Sequence, residues 1–369
     1  MALTGLHPEF SGDDWGRRAT AVLEADRNVE KATPLIRLPF PGESSVAIFV
    51  KDESARPTGS VKYRFARSLF LHSLSRGVIR RETRLVEATS GNMAVAEAHF
   101  ARVLGLPFTA VVPAKSSPDR IARISEQGGA TYRVDPPLAV YENAERLAGK
   151  WNGYYLDCLA TLGPAIDADL DDGVPGLPDE ILRDFAAQGR PEPAWIVTGA
   201  GTGATSRAIG RYLRRHGHAT RLAVVDAENS AYFPGWATEC RDYATGMPSR
   251  IEGIGRPRLE PAFNPDVVDL VIPVPDASSV AAMRVLATAG GVAAGPSTGA
   301  CLWGACHLAN RMSQAGESGA VVIVAADGAE PYRRSYYDDE WVAGKRWDLT
   351  EPTLRLRRFM RTGDWDDSR

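Results

Sequence analysis

The chain has 369 residues, enough for two domains or one large α/β unit. Apolar residues make up 44% and charged residues 24%, as in a soluble globular protein with a full core, and a net charge of -3 favours neither nucleic acid nor an anionic membrane as partner. No apolar run approaches the ~20 residues that span a bilayer. The first 18 residues are polar and lack a signal-peptide core, so a cytoplasmic protein is expected. The four cysteines, at 158, 240, 301 and 306, form no CxxC pair. Neither a metal site nor a redox dithiol is expected from them, and Cys301 and Cys306 read as buried thiols in an apolar helix.

Strand and helix patterns alternate along the chain. Apolar runs predict strands at Val46–Lys51, Arg84–Ala88, Phe108–Val112, Thr131–Val134, Ala194–Thr198, Arg221–Asp226, Leu270–Val274 and Ala320–Ala325. Several runs are continuous, which suits parallel strands buried on both faces. Helical periods fall between them at Val61–Ser75, Met93–Leu104, Ser117–Gln127, Val140–Lys150, Thr205–His216, Ser278–Gly290 and Gly299–Ser313. Repeated βα units predict one or two doubly wound sheets. Thr161–Glu192 is rich in Asp, Gly and Pro and reads as a seam between halves, although Glu180–Ala187 has helical character. The end, Trp347–Arg369, reads as an extension.

The chain strongly prefers arginine: of 43 basic residues only six are lysine. One of these, Lys62, stands in Arg56-Pro57-Thr58-Gly59-Ser60-Val61-Lys62-Tyr63-Arg64, just after the first strand. An amine can lose its proton and condense with an aldehyde, and guanidinium does neither. Pyridoxal phosphate (PLP) chemistry is one reading of Lys62; a surface lysine opening a helix is the other.

Three glycine- and hydroxyl-rich turns follow predicted strands or open predicted helices. Thr89-Ser90-Gly91-Asn92 either docks an anion at a helix N-terminus or simply caps the helix. Gly199-Ala200-Gly201-Thr202-Gly203-Ala204-Thr205 exposes backbone N–H groups as a phosphate site does. It also fits a loose GxGxxA dinucleotide pattern, with Asp226 at the end of the next strand, so an NAD-dependent oxidoreductase is a rival. Gly295-Pro296-Ser297-Thr298-Gly299 places a hydroxyl at a third helix start. PLP needs an amine, phosphate donors, a partner for its ring nitrogen and an anchor for the substrate carboxylate, and the four motifs offer one of each.

Their order and spacing resemble the fold type II PLP enzymes, the family of cysteine synthases and cystathionine β-synthases. The resemblance runs from Thr33-Pro34-Leu35-Ile36-Arg37-Leu38 to about Tyr332. It implies an α/β fold of two doubly wound, mostly parallel sheets with the cofactor between the domains. A smaller, mobile domain would span 46–193, a larger one 1–45 plus 194–346, and an extension 347–369. The lysine of the family's PTGSxK motif forms the imine with PLP, which implies Lys62. The asparagine of TSGN bonds the cofactor's 3′ oxygen, which implies Asn92, and Thr89, Ser90, Gly91 and Met93 would cradle the substrate carboxylate. Gly201, Thr202, Gly203, Ala204 and Thr205 stand for the GTGGT phosphate loop, and Ser297 for the partner of the pyridine nitrogen. A homodimer is implied.

The sequence departs from the family pattern with Arg56 for Asn, Val61 for Phe, Tyr63 for Asp, Met93 for Thr and Ala204 for Gly. Arg256 and Arg258, after Gly253-Ile254-Gly255, stand where relatives that accept O-phosphoserine carry an arginine; two surface arginines are the alternative. With the Tyr336-Tyr337-Asp338-Asp339-Glu340-Trp341 ending, the chain looks like the actinobacterial S-sulfocysteine synthases, which join O-phosphoserine and thiosulfate. The implied reaction is β-replacement on an O-activated serine by a sulfur nucleophile through an aminoacrylate, with Lys62 as base. A cystathionine β-synthase-type condensation is the alternative.

Overall fold

The structure, a computed structural model, describes residues 12–40 and 44–365. Ten strands occur in order: β1 (Leu35–Arg37), β2 (Val46–Asp52), β3 (Leu85–Glu87), β4 (Phe108–Pro113), β5 (Ala130–Val134), β6 (Tyr154–Tyr155), β7 (Trp195–Gly199), β8 (Arg221–Ala227), β9 (Leu270–Val274) and β10 (Gly319–Ala325). The first four α-helices are α1 (Gly12–Val29), α2 (Lys62–Ser75), α3 (Asn92–Val103) and α4 (Pro118–Glu126). The chain divides into two compact units, each described by itself: residues 12–32 with 56–172, and residues 33–55 with 173–365.

The first unit carries a four-stranded sheet in the order β5-β4-β3-β6, parallel throughout. The second carries six strands in the order β1-β2-β10-β7-β8-β9, of which only β1 runs antiparallel. Its central strands are the continuous apolar runs: Val321, Val322 and Ile323 of β10 and Ile196 and Val197 of β7 are wholly buried. Burial on both faces is what removes alternation from such strands. The expected α/β class with mostly parallel sheets is therefore found.

The domain boundaries differ from the expected ones. β2 was placed in the smaller domain, but it pairs with β10 from Val46↔Gly319 to Asp52↔Ala325 and so belongs to the larger sheet. A parallel partner so far along the chain leaves no local signal. Conversely, α1 belongs to the first unit. It was missed because its apolar stripe is thin: Trp15, Ala19 and Leu23, one per turn, are the residues it buries. The seam falls at 172/173, inside the expected stretch. Most of that stretch is nonetheless helical, in Cys158–Asp171 and Leu177–Ala187. The described part of the expected extension, 347–365, is packed against the larger unit. The helix Thr350–Thr362 packs on Asp276–Ala289 and buries Leu356 and Phe359, and Trp365 is 2% exposed.

A second distinct use of lysine appears in the larger unit. Lys51 is fully buried, and its ammonium reaches Glu180 at 2.7 Å, Asp184 at 2.6 Å and the Thr33 carbonyl at 2.7 Å. A compact ammonium with three donors fits this closed site, where a planar guanidinium would not. The preference for arginine is thus broken at Lys51 for packing, as well as at Lys62.

Candidate active site

In the first unit, Lys62 is the first residue of α2 and is half-buried, its Nζ 5.7 Å from the Phe65 ring centre. The turn before it is tight, with the Gly59 N–H donating to the Arg56 carbonyl at 2.7 Å. Thr58 and Ser60 in this turn are buried hydroxyls whose oxygens meet no hydrogen-bond partner among the described residues. Orphaned buried oxygens are uncommon, and here they lie beside the candidate amine.

Helix α1 explains two departures from the family motif. Arg56 pairs with Glu30 at 2.6 Å and donates to the Lys31 carbonyl at 2.9 Å. The Tyr63 hydroxyl donates to Asp26 at 2.7 Å, and Arg67 reaches Asp26 at 3.0 Å and Glu30 at 2.7 Å. Burial and the Asp26 carboxylate hold the Tyr63 phenol well above its ordinary range. The start of α2 is thereby tied to α1 by a network of buried and half-buried charges, to which Arg56 and Tyr63 both belong.

Thr89, Ser90 and Gly91 form the loop from β3 into α3, Asn92 opens the helix, and Met93 is buried in its first turn. Helices α2 and α3 pack together, with the Tyr63 and Phe100 ring centres 4.8 Å apart. The Asn92 Oδ1 accepts from Arg123 Nη2 on α4 at 2.9 Å.

Beneath this loop lies a group that sequence reasoning missed. Glu87, Glu97 and Cys158 are all buried, with potential ligand atoms within 4.8 Å of one another. Glu87 accepts from the Ala88 N–H at 2.7 Å and the Cys158 N–H at 2.9 Å. Both Glu97 oxygens lack an ordinary donor. A proton shared by the two carboxyls accounts for the arrangement without a metal: Glu97 holds it and donates to Glu87. Burial raises both groups, Glu87 to about 7 and Glu97 well above the usual carboxylate range. Burial, then the Glu87 charge, raises the Cys158 thiol as well. Glu97 stands on the buried face of an apolar helix, where its isolation among alanines was the available signal.

The pair has a consequence for stability. A glutamate raised on folding keeps a proton that the unfolded chain releases, so stability is full below the unfolded value and falls as pH rises towards the folded one. The urea midpoint should therefore decline between pH 5 and 7. One proton contributes a slope of at most about 1.4 kcal/mol per pH unit. Glu97→Gln, which donates without titrating, should flatten that slope; an unchanged slope would contradict the shared proton.

In the second unit the glycine loop follows β7 and opens the helix Ala204–His216. Gly203 caps this helix with φ +87°, and a Cβ there would lie 2.4 Å from the Phe263 nitrogen. A Cβ on Gly201 would lie 2.4 Å from the Gly253 carbonyl oxygen. The Tyr232 hydroxyl donates to the Gly201 carbonyl at 2.6 Å, and the Gly255 N–H to Ala200 at 2.8 Å. Ser297 lies beside the same segment, its Oγ 3.5 Å from where a Gly253 Cβ would stand. Gly201 and Ser297 thus both lie against Gly253, while Gly203 lies against Phe263. A helix N-terminus framed by glycines is suited to a phosphate.

Arg256 and Arg258 share one buried carboxylate, Glu260, at 2.8 and 3.4 Å. The Arg258 side chain is 64% exposed, that of Arg256 29%. Arg256 stays close to the glycine loop through the main chain: its N–H donates to Ser230 Oγ at 3.2 Å, and its carbonyl accepts from Ala231, next to Tyr232. Arg258 has no such tie and is a surface residue. Asp226 is no ribose ligand. It is 1% exposed, its carboxyl is raised to about 6 by burial, and it accepts from the Ala227 and Phe233 N–H groups at 3.1 and 2.8 Å. Cys301 and Cys306 are buried, and burial lifts the Cys301 thiol to about 12.

The family model described as pyridoxal-phosphate dependent enzyme matches residues 27–327. The chain belongs to this family. The PLP-dependent enzyme is 45% identical over 355 residues to an L-cysteine desulfhydrase of Mycobacterium tuberculosis (strain ATCC 25177 / H37Ra), covering 95% of this chain and 96% of the relative. It is 30% identical over 311 residues to a cysteine synthase of Aquifex aeolicus (strain VF5), covering 81% and 88%. Among solved structures, that of O-ureido-L-serine synthase matches with a TM-score of 0.74 and 26% identity, over 91% of this chain and all of that one. The PLP-dependent enzyme is therefore of the β-elimination and β-replacement type, related to cysteine synthases and desulfhydrases. The dinucleotide reading falls with it. Within the second unit, the glycine-framed helix terminus fits a phosphate such as that of PLP. Among the described residues no helix is long and apolar enough to cross a membrane.

Proposed function

We propose that this enzyme acts on L-cysteine, releasing sulfide by β-elimination. The observation that carries the reading is the 45% identity to an L-cysteine desulfhydrase over 95% of the chain, a span that includes both units. PLP, when bound, supplies an electrophilic aldehyde and an electron sink. Lys62 would hold the aldehyde end of the cofactor, and its Nζ, once free, would take the α-proton of the substrate as the sulfur leaves. Asn92 donates to the cofactor's 3′ oxygen, and Thr89, Ser90, Gly91 and Met93 bind the substrate carboxylate. Gly201, Thr202, Gly203, Ala204 and Thr205 hold the phosphate. The Ser297 hydroxyl, a neutral partner for the ring nitrogen, leaves it largely unprotonated. That favours loss of a good leaving group over transamination.

A second reading is favoured by Arg256. Braced by Glu260 beside the glycine loop, it offers a fixed cation for a phosphate leaving group or an anionic nucleophile. This is β-replacement on O-phosphoserine by thiosulfate, giving S-sulfocysteine. Mass-spectrometric product analysis of the holoenzyme decides. The proposal expects sulfide, pyruvate and ammonia from L-cysteine alone, at a kcat/KM at least ten times that for S-sulfocysteine formation. The reverse ratio would overturn it in favour of the second reading.

A further inference from the structure

We propose that Arg123 is a positioning residue for the cofactor, fixing which end of the Asn92 amide faces the 3′ oxygen and setting a positive charge beside it. The inference rests on the role given to Asn92 above. Arg123 lies on α4, whose Ser117 cap accepts from the Arg120 N–H. Its Nη2 donates to Asn92 Oδ1 at 2.9 Å. A guanidinium carries donors only. The end of Asn92 that meets it must therefore be the oxygen, and the NH2 group is turned to the opposite side. An asparagine without such a partner can present either end.

The charge of Arg123 is also unspent. Among the described residues no carboxylate forms an ion pair with it, whereas Arg56 and Arg67 in the same unit are paired with Glu30 and Asp26. The nearby Gln127 accepts instead from Arg102 at 3.0 Å and lies 3.1 Å from His99. An arginine kept only to join α3 to α4 would be expected to meet an acid there. Arg123 is half-buried, so its field is screened less than that of a surface arginine.

The test uses the holoenzyme, with PLP as the probe, and two variants, Arg123→Gln and Arg123→Lys. The readouts are the PLP dissociation constant and the pH midpoint of the visible absorption band of the bound cofactor. A nearby positive charge disfavours uptake of a proton, so its removal in Arg123→Gln should raise the midpoint by about one unit and weaken PLP about tenfold. Arg123→Lys keeps the charge and loses the planar fork: the midpoint should stay within about 0.3 units while PLP binding still weakens. A midpoint and dissociation constant unchanged in both variants would overturn the inference. If Arg123→Gln does not fold, Arg123→Lys decides, since unchanged PLP binding there contradicts the orienting role. The underlying reading fails separately, if Asn92→Ala leaves both readouts unchanged in a protein that retains Arg123.

Discussion

Replacing Lys62 by alanine should abolish turnover, by about a thousandfold or more, and leave the fold intact. The magnitude follows from the two tasks assigned to one amine. General acid–base catalysis alone contributes roughly 10²–10⁴-fold, and the covalent link to the cofactor adds to it. The fold should survive because the start of α2 is held by other residues: Arg56 and Arg67 on Glu30, and Tyr63 on Asp26. The visible band should vanish with the link. Lys62→Arg should be equally inactive, because its guanidinium neither loses a proton nor condenses with an aldehyde. Steady-state turnover with thermal melting of each variant checks this. An active Lys62→Ala would remove the amine from the reaction.

Gly203→Ala should weaken PLP binding by at least about tenfold and destabilise the larger unit. The left-handed conformation at φ +87° contributes roughly 1–3 kcal/mol of strain for any other residue. The added methyl would also lie 2.4 and 2.5 Å from the Phe263 nitrogen and Cα. These are backbone atoms, and the loop cannot yield without shifting the turn in which Phe263 donates to Glu260. Gly217 at the other end of the same helix separates the two effects. It has φ +68° with nothing within 4 Å of a Cβ, so Gly217→Ala carries strain alone. PLP titration and urea unfolding of both variants give the comparison. Equal losses at 203 and 217 would show that close packing around the glycine loop contributes little.

The eight expected strands are all present, and most were legible because burial on both faces writes itself into composition; β5 is largely exposed. β1 and β6, three and two residues long, are too short to show a period. The unit boundary was less legible. β2 and α1 exchange sides because membership is decided by partners elsewhere in the chain, β10 for β2 and the start of α2 for α1. The candidate site was legible where chemistry restricts the residue type: an amine at 62, an amide at 92, glycines at 201 and 203, a hydroxyl at 297. It was illegible where function depends on a neighbour. Glu260, which braces Arg256, and Arg123, which turns Asn92, have no motif. Arg56 and Tyr63 stood as unexplained departures from the family pattern until α1 supplied their carboxylates.

The central claim is that Lys62 carries the cofactor, and chemical trapping tests it most directly. The yellow holoenzyme is reduced with borohydride, digested, and its peptides weighed. The account predicts a phosphopyridoxyl mass on Lys62 and on no other lysine, with Lys51 unmodified because its ammonium is buried between Glu180 and Asp184. A reduced label on any other lysine, or a protein that binds PLP with none on Lys62, would contradict it.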